Sequence, residues 1–183
     1  MSELKSAWEI AQEKASRLGK LSAEEEQQYR EESYREIGTA IAQKFLDSFD
    51  DRSLASALGG YSETERDVIK KAALSRLAEA TDLTSLKKLE EISRGMAGLE
   101  PRLQSALERI AEVANECEQA RTKARRELED KGKERLHRMR ITGTAVSGIN
   151  VEATEEWKES EQQLMAVFGP RFDSLKQELA SAI

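Results

Sequence analysis

The chain has 183 residues, 35% of them charged, and a net charge of -6, enough for one main core and rich in Ala, Glu, Lys, Leu and Arg, the composition of long helices. That composition argues against a β-sandwich, and the negative charge argues against a general nucleic-acid binder. Leu, Ile, Val and Phe make up only about a fifth of the chain, so some helices are expected to need partners for burial. A single cysteine, Cys117, excludes an internal disulfide; with no basic-then-apolar leader at the N terminus, a cytoplasmic location is expected. No apolar run approaches the roughly 20 residues of a membrane span.

An N-terminal amphipathic helix is predicted within residues 1–21, starting after Ser2 and stopping at Gly19, with Leu4, Ala7, Trp8, Ala11, Ala15 and Leu18 on one face. Residues 22–98 then read as a helical bundle. Ser22 and Glu25 form a capping box ahead of Tyr34, Ile37, Ile41, Phe45 and Phe49, and Asp50-Asp51 ends that helix. A brief helical turn in SLASAL precedes Gly59-Gly60. Ser62 and Glu65 repeat the capping box before Val68, Ile69, Ala72, Ala73 and Leu77. A fourth helix carries Leu86, Leu89 and Ile92, with Gly95 and Gly98 expected to loosen its end.

Pro101 suits a helix's first turn, and residues 99–140 predict the longest element. Leu103, Leu107, Ile110, Ala114, Cys117, Ala124 and Leu128 recur at heptad steps, interrupted by Arg121. Such a seam demands a partner, either another helix of the same chain or a second subunit; the pattern does not choose. Residues 141–152, ITGTAVSGINVE, drop the charged helix formers, and β-branched Ile141, Thr142, Thr144, Val146, Ile149 and Val151 predict a small extended insert, a docking strand or a connector. Gly143 and Gly148 do not make a phosphate loop, since Ile149 and Asn150 stand where Lys and Ser or Thr are required. In residues 153–183, Thr154 caps a helix bearing Trp157, and Gly169-Pro170 is expected to break it before a last helix with Phe172, Leu175 and Leu179.

Residues 121–140 hold nine Lys or Arg against four Asp or Glu, a local +5 that leaves -11 over the rest of the chain. A basic stripe of Lys123, Arg125, Arg126, Lys131, Lys133, Arg135, Arg138 and Arg140 suits an acidic partner helix, such as the acidic run 23–32, a solvated face, or nucleic-acid phosphates. Catalytic groupings are scarce. His137 is the only histidine, with no second ligand nearby for a metal. Cys117 lies on the seam about 30 Å of helix away from it. No Glu-x-x-His pair offers a carboxylate metal site, so no cofactor is expected.

At SAWEIAQEKASRLGKLS and RITGTAVSGINVEATEEW the chain resembles an uncharacterised family of small bacterial helical proteins; the resemblance implies a helical fold and brings no activity, cofactor or site residue with it. The sequence therefore predicts an all-α protein acting without catalysis through its coiled-coil arm, as a scaffold, adaptor or assembly factor. Its contact residues are Arg125, Arg126, Lys131, Lys133, Arg135, Arg138, Arg140, Val146 and Ile149. The expected partner is a protein or a second copy, with a nucleic-acid or ribosome-associated role as the alternative, and no membrane.

Overall fold

The computed structural model describes residues 22–141 and 148–183. Six α-helices and two short 3-10 turns account for nearly all of them, and no strand occurs among the described residues. The predicted helix over 2–18, Trp8 included, lies outside the described residues.

Helix α1 (Ala23–Ser48) begins where Ser22 and Glu25 satisfy each other's backbone N–H groups, at 2.7 and 3.2 Å. It ends at Phe49, whose left-handed backbone (φ 52°) turns the chain while its ring stands edge-on to Phe45, 5.7 Å between centroids. Asp50 then accepts from the Arg52 N–H at 3.1 Å and starts α2 (Asp51–Ser56). The Ser62 N–H donates to Glu65 at 2.9 Å at the head of α3 (Glu63–Glu79).

Helices α1 and α3 run parallel, with Tyr34 donating to Glu65 and Arg76 donating to Gln43 at 3.1 Å. Gly38 lets them touch: a Cβ there would overlap the Ile69 carbonyl oxygen and lie 2.8 Å from the Ala72 Cβ. A contact this close between backbones removes a wide strip of apolar surface from water without large side chains.

Helix α4 (Leu86–Leu99) folds back along α3. Gly95 does not loosen it as expected; it sits buried inside the helix, where a Cβ would come within 2.5 Å of the Phe45 ring and 3.2 Å of Leu54. Its missing side chain is the hole into which Phe45 packs. The 3-10 turn Pro101–Leu103 reverses the chain again. Glu100 at this corner accepts from Lys70 at 3.1 Å and from Arg102 at 2.8 Å, which hold its carboxyl at about 2, well below the ordinary carboxylate range.

The longest element, α5 (Gln104–Arg138), is 35 residues. Its first half is bundle core: Leu107, Ile110, Ala114 and Cys117, like Leu103 in the turn before it, are each at most 2% exposed. Burial raises the Cys117 thiol pKa, so the group behaves as a small apolar side chain. The residues predicted as a seam thus face the helices of their own chain, and the heptad repeat fades beyond Cys117, where Ala124 and Leu128 are only half-buried.

Helix α6 (Glu155–Ala182) returns antiparallel to α5 as one uninterrupted helix, where two were expected. Pro170 does not break it because Ala166, whose carbonyl loses its hydrogen-bond donor, is exposed, so water takes the acceptor. Phe172 and Leu179 enter the bundle core, and Lys176 donates to the Glu79 and Thr81 carbonyls at 2.8 and 3.0 Å, capping the end of α3. The core therefore joins residues of 42–96 with 103–117 and 172–179 in one cluster. Past Cys117, α5 and the first half of α6 leave this core as a two-helix arm about 30 Å long.

Candidate functional site

The arm is where the described fold places features beyond packing. Its turn begins at Arg140, whose left-handed backbone (φ 58°) ends α5. Met139 (56% exposed) and Ile141 (47%) stand out as large apolar side chains at the tip. Val146, a predicted contact residue, lies outside the described residues.

The described end of the predicted insert is not extended. Val151 donates to the Ile149 carbonyl at 2.9 Å, and Val151–Ala153 form a 3-10 turn. The Thr154 hydroxyl donates to the Val151 carbonyl at 2.7 Å and accepts from the Trp157 N–H at 3.2 Å, so the turn passes directly into α6. The end of the run from Ile149 to Val151 forms a turn because these two apolar side chains find a floor to land on. Ile149 seats against Gly132 of α5, where a Cβ would lie 2.6 Å from its terminal methyl, and Val151 is 2% exposed.

Between α5 and the start of α6 this landing leaves a cleft of about 460 Å3. Ala124, Leu128, Leu136, Ile149 and Val151 supply its apolar lining; Glu127, Lys131, Arg135, Glu156 and Glu159 stand around it. A cavity of this size, with an apolar floor and a few charged groups, is the kind that receives a ligand or a partner side chain. The groove nearer the bundle, lined by Arg109, Val113, Arg171 and Glu178, is instead crossed by two ion pairs, Arg109–Glu178 at 2.7 Å and Arg171–Glu116 at 2.8 Å.

The basic stripe divides between two faces of α5. Arg125 and Arg135, with Arg121 just before the stripe, turn toward α6 and the 3-10 turn ahead of it, and the three meet Glu152 (3.2 Å), Glu156 (3.6 Å) and Glu161 (2.8 Å) respectively. Burial works against the Arg121 charge, but the Glu161 and Glu118 carboxylates outweigh it and raise its proton affinity. Lys133 and Arg138 pair along their own helix, with Asp130 at 3.4 Å and Glu134 at 3.3 Å. Lys131 borders the cleft, Arg126 and Lys123 sit on the exposed side of α5, and Arg140 is exposed at the tip.

The acidic run 23–32 does not lie along the basic stripe. It forms the exposed first turns of α1, before the contacts with α3 that begin at Tyr34. The carboxylates that answer the stripe come from 152–161, close in sequence, because the chain doubles back immediately. His137 is exposed in the last turn of α5, and among the described residues no group of three His, Cys, Asp or Glu is placed to hold a metal ion. No helix among them is long and apolar enough to cross a membrane.

Sequence reasoning found Ile149, Lys131 and Arg135 as contact candidates. It missed the cleft and the part played by Gly132; the only signal was a glycine within an otherwise unbroken run of helix formers. Compared with models of protein families, with curated proteins and with solved structures, the chain has no match.

Proposed function

We propose that the protein is a non-enzymatic interaction protein of the cytoplasm, a scaffold, adaptor or assembly factor, that makes its contacts through the α5–α6 arm. The observation that carries this reading is the cleft beside Gly132 and Ile149, set on a projecting arm whose tip exposes Met139 and Ile141. An anchor side chain buried in such a cleft, with a charged rim fixing orientation, is how helix-in-groove contacts acquire both affinity and specificity.

The charge pattern favours a protein over a nucleic acid as partner. Four cations of the stripe, Arg125, Lys133, Arg135 and Arg138, and Arg121 just before it already face carboxylates, and a phosphate backbone would have to displace them.

The experiment is crosslinked capture from cells of intact protein and of Leu128→Glu. Leu128 is half-buried in the cleft wall, so the substitution places a charge in the cleft while the bundle core is left intact. The captured partner is expected to fall by about tenfold or more, the effect of losing a central apolar anchor site. Equal capture by both forms, with a partner that crosslinks elsewhere on the chain, would refute the arm as the contact surface.

A further inference from the structure

We propose that the cleft docks a helix of a protein partner through a lysine, its ammonium held between Glu127 and Glu159, with an apolar residue one turn away resting on Leu136 and Ile149. This rests on the reading of the arm as a contact surface and names the chemistry of its partner.

The register of the two helices comes first. The ion pairs Arg109–Glu178 and Glu116–Arg171 set α5 and α6 level with each other, since seven steps up the one match seven steps down the other. Continued past Cys117, the same register sets Glu127 level with Ser160, Leu128 with Glu159 and Lys131 with Glu156, and all six line the cleft. Glu127 and Glu159 therefore stand on opposite walls at heights that differ by about 1.5 Å, one residue of helix rise, beside the apolar floor at Leu128.

The charge pattern breaks at this level. Across the rest of the arm a carboxylate meets an arginine, in Arg121–Glu161, Arg125–Glu152 and Arg135–Glu156. Here acid faces acid, and neither Glu127 nor Glu159 makes an ion pair among the described residues. Two carboxylates beside an apolar floor repel each other and draw a cation. Toward the tip the balance reverses: Glu156 is taken by Arg135 at 3.6 Å, which leaves Lys131 one turn beyond Glu127. The cleft is thus negative at its bundle end and positive at its tip end, so it admits a cationic group in one orientation and repels it in the other. An inorganic cation would leave the floor unused, whereas a lysine lays its methylenes on Leu128. A lysine side chain of five non-hydrogen atoms occupies about 150 Å3, at about 30 Å3 for each. The cleft is about 460 Å3, and the remainder takes an apolar side chain one turn further along a partner helix, over Leu136 and Ile149.

The test is an amide NMR titration of the full chain with n-decylammonium and with decanoate, two probes of equal length and opposite charge. Decylammonium is expected to shift the amides of Leu128, Gly132, Ile149 and Val151 to saturation and to bind about tenfold or more tighter than decanoate. Glu127→Gln with Glu159→Gln is expected to weaken it by about tenfold or more. Glu24→Gln with Glu32→Gln, the same change in net charge on the exposed start of α1, is expected to leave it unchanged. Decanoate binding as tightly, or an affinity that Glu127→Gln with Glu159→Gln leaves unchanged, overturns the proposal. The source of the ammonium is read by zero-length carbodiimide crosslinking in cell lysate, with an amide bond expected between Glu127 or Glu159 and a lysine of another protein. Decylammonium binding without any such bond assigns the cleft to a free amine and overturns the protein occupant. If Leu128→Glu lowers capture from cells while Glu127→Gln with Glu159→Gln does not, the arm remains a contact surface and the lysine is overturned.

Discussion

Gly38→Val is expected to lower the melting midpoint by about 6 to 12 °C, the shift that about 3 kcal/mol produces in a domain of this size. The cause is steric. A Cβ at this position would overlap the Ile69 carbonyl oxygen, which is backbone held in α3 and has no rotamer to move into. To admit two further methyls, α1 and α3 must separate along their whole parallel contact, and the packing of Ala42 and Phe45 goes with it. Gly98→Ala is the matching control. Nothing lies within 4 Å of a Cβ there, so the change only removes glycine's backbone entropy from α4 and is expected to raise stability by about 0.5 to 1 kcal/mol. Thermal melts of the two variants separate a glycine required by close approach from one that the helix merely tolerates.

Leu107→Glu is expected to cost about 4 to 5 kcal/mol at pH 7, through loss of a buried side chain and burial of a carboxylate with no partner. Leu107 is 2% exposed and belongs to the cluster where α5 meets the bundle and the last turns of α6. The defect has a pH signature. Burial raises the folded-state pKa of the new carboxyl above its unfolded value of about 4.3, so the folded state binds the proton more tightly. The penalty is therefore complete above the raised folded pKa and shrinks as pH falls through it. Below about 4.3 it has lost its charge component, and only the packing defect of about 2 to 3 kcal/mol is left. Urea titrations of both proteins at several pH values read this directly. A stability difference independent of pH would mean that position 107 faces water.

These two sites also mark how far the sequence could be read. Helix boundaries at Ser22, Ser62 and Thr154 were legible because a cap is decided by neighbours three residues apart. The burial of Leu107, Ile110 and Cys117 was legible from spacing, since an apolar stripe on a charged helix has to face something. What covers that stripe was not legible, and the answer, helices of the same chain with the repeat fading beyond Cys117, depends on tertiary packing. Gly95 and Pro170 were misread for one reason: the cost of a glycine or proline inside a helix depends on what surrounds it. Phe45 fills the space Gly95 leaves, and water reaches the carbonyl that Pro170 leaves free.

The candidate site was legible only in pieces. Ile149 stood out within an uncharged run, and Lys131 and Arg135 within a basic one, but nothing local says that Ile149 lands on Gly132. The acidic run 23–32 and the run 152–161 are equally acidic, five Glu against one Lys or Arg in each, so charge alone did not choose between them, and α1 carries the first away from the stripe. Glu152, Glu156 and Glu161 meet the stripe because the tight turn before Thr154 leaves them no other place.

The most direct measurement of the arm's role is photo-crosslinking in cells from single photoreactive residues at Ser160 and at Gln119. Ser160 lines the cleft, whereas Gln119 projects from α5 away from it. The expected result is a discrete crosslinked species from Ser160, a second copy or another protein identified by mass, and only background from Gln119. Strong crosslinks from Gln119 with none from Ser160 would contradict a contact surface in the cleft and move it to the outer face of the helix.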